Sequence, residues 1–137
     1  MIGFRAQRSS QRGQALVEFA LALPIVLLLM LGVLDLGRAV YAYNTVSNAS
    51  RSAVRVAIVE QTEASVEAAA RQEAVGLDPL AVAMSYPYDP GDCPDLDCIV
   101  RVTVTHDWSA ATPLISGIVG PITISSTSEL PIESVSP

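Results

Sequence analysis

The sequence predicts an α+β protein in which one long N-terminal helix carries a small globular head. Residues 15–34 are twenty in number and contain a single charged side chain, Glu18. No Pro or Gly interrupts residues 38–75, so the helix is expected to continue beyond the apolar run. After residue 80, short segments alternate apolar and polar residues, which predicts a small antiparallel sheet of about three strands.

Charge is strongly segregated along the 137 residues. The first thirteen carry three Arg and no acid, whereas the rest carries five Arg against fourteen acids. Because basic flanks of a membrane segment stay on the cytoplasmic side, we expect the N-terminus inside and the acidic remainder outside. An acidic remainder also argues against nucleic acid as a partner, since phosphate neutralisation needs clustered Lys or Arg.

The apolar run is long enough to span a membrane. Twenty helical residues cover about 30 Å, the thickness of a hydrocarbon core. We therefore divide the chain into four segments: a basic leader (1–13), a transmembrane helix (14–36), an extracytoplasmic stem helix (37–60) and a small α+β head (61–137).

The leader ends in Gly13, and Glu18 follows after four residues. A basic leader, a glycine and a carboxylate at this spacing before a long apolar helix are typical of a prepilin, which predicts cleavage between Gly13 and Gln14. Two alternatives stay open: an uncleaved signal anchor, and conventional signal-peptide cleavage near residues 40–42.

Glu18 needs an explanation, because a carboxylate near the centre of a membrane costs about 2–3 kcal/mol, and less near its edge. Cleavage after Gly13 would leave an α-amino group on Gln14, protonated for much of the time near neutral pH. In a filament this amine could pair with the Glu18 carboxylate of a neighbour and fix axial register. Alternatively, Glu18 lies at headgroup level without a partner, and cyclisation of an N-terminal Gln would remove the amine.

Two further features of the helix follow from its residues. Pro24 lacks an N–H, which predicts a kink, either for bending in a filament or merely tolerated. Asp35 and Arg38 lie three apart and are expected to mark the exit into water. Beyond them we predict an apolar stripe on one side of the helix, formed by Leu36, Val40, Tyr43, Val46, Ala53 or Val54, Ala57 and Ile58.

A second helix is predicted from Glu63 to about Val75, with Thr62 as its N-cap and a break in the chain near residues 60–62. Strands are predicted at 80–88, 98–108 and 121–130. In the middle strand, alternate residues are expected to point one way, namely Val100, Val102, Val104 and His106. Residues 109–120 are expected to form a loop with one short helical turn.

Cys93 and Cys98 lie on the expected exported side, where a disulfide can persist, and we predict that they form a small disulfide loop. A disulfide closing so short a loop adds about 2 kcal/mol. Four acids surround the pair: Asp89, Asp92, Asp95 and Asp97. A calcium site is a weaker alternative, because the spacing does not fit an EF-hand, and a zinc site with His106 lacks a fourth ligand.

Nothing in the sequence indicates an enzyme or a cofactor. His106 and Asp107 are neighbours on a predicted strand and therefore face opposite ways. No Gly-x-Ser-x-Gly elbow and no glycine-rich phosphate loop occurs.

Three stretches resemble the TadE-like pilus assembly proteins, minor pseudopilins of the tight-adherence (Flp, type IVc) pilus. They are Arg-Gly-Gln-Ala-Leu-Val-Glu-Phe-Ala-Leu-Ala-Leu-Pro (12–24), Leu-Gly-Val-Leu-Asp-Leu-Gly-Arg-Ala (31–39) and Asn-Ala-Ser-Arg-Ser-Ala-Val-Arg (48–55). The resemblance implies that an integral-membrane aspartic prepilin peptidase cleaves after Gly13. Gln14 would then be the new N-terminus, and Glu18 the assembly carboxylate.

The resemblance further implies a minor pilin that contributes to assembly, initiation or the tip of a Tad pilus. Its expected location is the bacterial cytoplasmic membrane, and its expected partners are other pilins and the assembly platform. Phe19 stands where major Flp pilins usually have Tyr, which favours a minor subunit. The alternative function is a single-pass anchored adaptor that never joins a filament.

Overall fold

The computed structural model describes residues 7–88 and 98–133, with side chains from residue 13 onward. Its elements, in chain order, are helix α1 (Gln7–Ala57), helix α2 (Glu63–Glu73), strand β1 (Leu80–Ser85), strand β2 (Ile99–Trp108), helix α3 (Pro113–Val119) and strand β3 (Ile122–Pro131). The predicted α+β class, with a long helix, a short helix and an antiparallel sheet, is confirmed.

Helix α1 dominates the molecule. Its 51 residues correspond to a rod of about 75 Å at 1.5 Å per residue. The helix passes through Pro24 without ending there. It ends at Ala57, and residues 58–62 connect it to α2, so the predicted break is confirmed. Thr62 is the N-cap residue of α2, but its side chain makes no capping hydrogen bond.

The three described strands form an antiparallel sheet in the order β1-β2-β3. Leu80 of β1 lies opposite His106 of β2, and Trp108 of β2 lies opposite Ile122 of β3. The predicted alternation in β2 is confirmed, because every second side chain is buried, namely Val100, Val102, Val104 and His106. One face of the sheet therefore packs on the helices, and the other faces solvent.

The stem half of α1 meets the sheet with small side chains. Five residues of this face have no exposed surface: Ala42, Val46, Ala49, Ala53 and Ala57. Ser50 is equally buried, and its hydroxyl lies 3.0 Å from the hydroxyls of both Ser126 and Ser128 on β3. Small residues let the sheet approach the helix closely, and the serine contacts satisfy the buried hydroxyl.

The predicted apolar stripe is buried only in its second half. Leu36, Val40 and Tyr43 are 64%, 52% and 61% exposed, while Val46, Val54 and Ile58 are buried. Hydrophobicity alone favours the larger residues, but the head packs against the face that carries small side chains, where the sheet can come close.

The head and α1 run alongside each other with a defined polarity. At the far end, the N–H of Glu133 donates to the carbonyl of Ile58 at 3.1 Å. At the near end, the loop after β2 contacts Asp35. This arrangement brings the residues between β2 and β3 to the point where the apolar run meets the stem.

Candidate functional site: the uncovered helix and its junction with the head

The head leaves the first half of α1 uncovered. Between residues 13 and 34 every residue is exposed except Leu28 and Gly32, which are half-buried. By length and composition α1 can cross a membrane, and no residue in its most apolar 18-residue window is buried. An apolar surface of this size needs a non-aqueous environment or another protein surface.

Gly13 lies inside α1, and the fold gives no reason for a glycine there. A Cβ built at this position meets no atom within 4 Å, and its φ angle is not positive. Glycine within a helix costs about 1 kcal/mol relative to alanine. Neither space nor backbone conformation explains this glycine, and the same holds for Gly37.

The side chain of Glu18 forms a hydrogen bond with that of Gln14. The side-chain amide of Gln14 donates to Oε1 of Glu18 at 3.1 Å, one helical turn away on the exposed surface. The carboxylate thus lies close to the residue that predicted cleavage would make the N-terminus. The same end of α1 therefore carries Gly13, Gln14 and Glu18. The kink predicted at Pro24 stays a prediction.

The stem and the head are joined by a buried carboxylate. Asp35 is only 4% exposed, and its two oxygens accept hydrogen bonds from the backbone N–H of Ala111 (2.9 Å) and of Thr112 (3.0 Å). Arg38 also donates to it at 3.1 Å while remaining half in solvent. The prediction that Asp35 faces water is therefore wrong, whereas Arg38 does lie at the surface.

Asp35 acts as a cap supplied from a distant element. Thr112 is the N-cap residue of α3, yet its side chain makes no capping hydrogen bond. The carboxylate of Asp35 accepts from the buried backbone N–H of Thr112 itself, a donor that the Thr112 side chain would not serve. Charge-assisted bonds of this kind are stronger than neutral ones. One turn earlier, a Cβ on Gly32 would lie 3.6 Å from Cδ1 of Ile115, so α3 packs directly on α1. We call these contacts the junction.

Sequence reasoning could have found half of the junction. An acid directly after twenty apolar residues is expensive unless it has a partner, which should have marked Asp35 as more than an exit signal. Its two backbone donors lie 76 and 77 residues further along the chain. Backbone groups leave no trace in side-chain identity.

A line of exposed apolar side chains runs along α1 on a face that the head does not cover. The spacing alternates between three and four residues, the pattern by which helices pack on helices. Its larger members, each at least half exposed, are Phe19, Val26, Leu29, Val33, Leu36, Val40 and Tyr43. We call this line the apolar seam. Tyr43 lies nine residues past Leu34, about 13 Å beyond the apolar run.

The predicted disulfide and calcium loop falls largely outside the described residues. Cys98 is buried just before β2, whereas Cys93 and the surrounding acids (Asp89, Asp92, Asp95 and Asp97) lie outside them. The disulfide and the calcium alternative therefore stay predictions.

His106 has a structural partner. Its Nδ1 donates to the carbonyl of Pro79 at 2.9 Å, and the ring is buried. Asp107 is exposed on the other face and accepts from the hydroxyl of Thr123. Within the described ranges, no three or more His, Cys, Asp or Glu side chains are grouped so as to hold a metal ion.

Comparison with known families gives a match to the apolar helix. The family model described as TadE-like protein matches residues 13–55, which cover the apolar run and most of the stem but not the head. Neither the curated proteins nor the solved structures include a match to the chain. The family evidence therefore comes from the helix that carries Gly13, Glu18 and Asp35.

Replacing Asp35 with Ala should loosen the junction, because the backbone N–H groups of Ala111 and Thr112 lose their acceptor. We expect their amide hydrogens to exchange faster on the order of tenfold or more. The unfolding midpoint of the full chain in detergent should also fall. The matched control is Asp107→Ala, which removes an exposed carboxylate with one hydrogen bond. Equal exchange at residues 111 and 112 in the two variants would contradict the junction.

Proposed function

We propose that the chain is a minor pilin, or pseudopilin, of a Tad pilus, because the TadE-like family model matches it over residues 13–55. Helix α1 anchors it in the bacterial cytoplasmic membrane with its N-terminus inside and its head outside. It contributes to the assembly, initiation or tip of the filament, and no catalytic step is assigned to it. The observation that carries this proposal is the position of Glu18, on an uncovered apolar helix five residues after a glycine that the fold does not require.

Processing is the first step of the proposal. A prepilin peptidase cleaves between Gly13 and Gln14 and removes the basic leader. The open surroundings of Gly13 support this assignment, because neither space nor backbone conformation explains the residue. Cleavage frees an α-amino group on Gln14, with a usual pKa of about 8 that leaves it largely protonated near neutrality.

Charge pairing is the second step. In the precursor, the neutral amide of Gln14 contacts Glu18. After cleavage, the amine of one subunit pairs with the Glu18 carboxylate of a neighbour. Removal of a carboxylate from water is expensive, and an opposite charge offsets that cost. Because the pairing requires one particular axial offset between subunits, it also fixes register.

The apolar seam supports packing of α1 against the apolar helix of another pilin subunit. Lipid can cover the seam from Phe19 to Val33. Val40 and Tyr43 lie beyond the apolar run, where hydrocarbon does not reach, and they are 52% and 61% exposed. A second helix that runs alongside α1 would cover the seam both within the apolar run and beyond it. Helices with this three- and four-residue spacing of apolar side chains pack on one another in this way.

Gly13→Leu tests the processing step. A side chain at a site that accepts glycine should clash with the peptidase and reduce the mature form by about tenfold or more. Mass spectrometry of the membrane-bound chain measures the ratio of precursor to mature protein. Gly37→Leu is the control, since Gly37 lies in the same helix and its Cβ would also meet nothing within 4 Å. If the Gly13 variant were processed like the Gly37 variant, cleavage at this bond would be excluded.

Glu18→Ala separates anchoring from assembly. The variant should be cleaved and remain in the membrane, because it only increases apolar character, but it should be absent from sheared filaments. Immunoblots of the membrane and filament fractions measure this distribution. Glu63→Ala, in the exposed first turn of α2, controls for the loss of a carboxylate. Normal incorporation of the Glu18 variant would rule out the charge-pairing step.

Val40→Glu tests the seam above the membrane. A carboxylate placed in an apolar helix contact should reduce incorporation on the order of tenfold without loss of the membrane-bound protein. Asn48→Glu introduces the same charge on an exposed stem position outside the seam and should be incorporated normally. Equal behaviour of the two variants would reject the helix contact and favour an anchored adaptor that does not join a filament.

A further inference from the structure

The segment that contains α3 is apolar, uncharged and exposed. Residues 109–122 include no Asp, Glu, Arg, Lys or His. Four large apolar side chains of this segment are between 44% and 79% exposed: Leu114, Ile118, Val119 and Ile122. The other large apolar side chains exposed in the described residues after helix α1 are separate from one another in sequence: Val59, Val75 and Tyr88. A cluster of this kind on an otherwise acidic head needs a partner surface.

The junction fixes α3 beside the end of the apolar run. Asp35 holds the two residues before the helix, and Ile115 packs on Gly32. Gly32 lies two residues inside the apolar run, about 3 Å below its end at Leu34. Contacts at both Asp35 and Gly32 therefore fix the position of α3 along the axis of α1.

The two sides of α3 differ in what they contact. Ile115 is half-buried against α1, whereas Leu114 and Ile118, which lie one turn apart on the same face, are 56% and 79% exposed. Helix α3 begins at Pro113, and Gly120 at its end adopts a φ of 70°. The exposed face thus belongs to a short, well-bounded element that rests on the stem.

We propose that α3 is a second membrane contact, with Leu114, Ile118 and Val119 inserted at the boundary between lipid headgroups and acyl chains. This inference rests on the membrane insertion of α1 proposed above, but not on processing or filament assembly. The exposed face of α3 lies beside the end of the apolar run, so it extends the apolar surface of α1. The segment also lacks the charged side chains that usually surround a protein interface. Lipid is therefore the occupant that this surface fits best.

A second contact would fix the orientation of the head. A single spanning helix leaves a protein free to rotate about its axis and to tilt. With α3 anchored beside Gly32, one side of the head faces the membrane surface. The apolar seam is then presented in a constant direction, because the junction ties α3 to α1.

Fluorescence quenching by brominated phospholipid tests this contact on the full chain in liposomes. The variant Ile118→Trp places a reporter on the exposed face of α3. Val59→Trp is the matched control, since Val59 is an exposed β-branched residue at the far end of the head. Leu27→Trp reports the insertion of α1, and the wild-type chain gives the contribution of Trp108, its single Trp.

We expect the lipid to quench the added fluorescence of Ile118→Trp at least about twofold more than that of Val59→Trp, with Leu27→Trp also quenched. Quenching at Leu27 without quenching at Ile118 would overturn the α3 contact and leave the anchor intact. A blue-shifted but unquenched Ile118→Trp would show that protein covers the face, and would likewise overturn it. Absence of quenching at Leu27 would reject the anchor, and the α3 contact with it. Leu114→Trp, on the same face, repeats the test if Ile118→Trp unfolds.

Discussion

The head covers α1 only from the turn at Gly32 onward, and this limit determines the chemistry of both halves of the molecule. The carboxylate of Asp35 fixes where the head begins to cover the helix. It lies directly after the apolar run and accepts hydrogen bonds from two backbone N–H groups of the head. Above Asp35, small side chains let the sheet pack on the stem. Before Gly32, the apolar side chains of α1 other than Leu28 are exposed in the part of the chain that the structure describes, so lipid or another helix must cover them.

Packing and exposure on the stem follow from side-chain size. Ala42 and Ala49 are fully buried, whereas Leu36 and Val40 are exposed. A helix with small residues toward its own head and large apolar residues outward is suited to two interfaces at once. Under the proposed function, Glu18 requires a positive charge at the opposite end of the same rod. Trimming at Gly13 creates that charge and so couples processing to assembly.

Much of the fold is predictable because its signals are local. The apolar run, the alternation through Val100 and Val104 and the end of α1 before residue 60 all depend on residues close in sequence. The inward face of the stem is not predictable in this way, since it depends on how closely the sheet approaches. The junction is likewise hidden, because Asp35 meets backbone groups 76 and 77 residues away. At the candidate site, the spacing of Gly13 and Glu18 is evident from the sequence. Only the structure shows that neither space nor backbone conformation requires a glycine at position 13.

The account depends most on a trimmed N-terminus with a free amine that pairs with Glu18. The most direct test is the intact mass and N-terminal sequence of the wild-type chain, isolated from the membrane of cells with a working pilus machine. The account predicts a chain that begins at Gln14 with an unmodified amine. A chain that still carries Met1 to Gly13, or one whose Gln14 has cyclised and lost its charge, would contradict it.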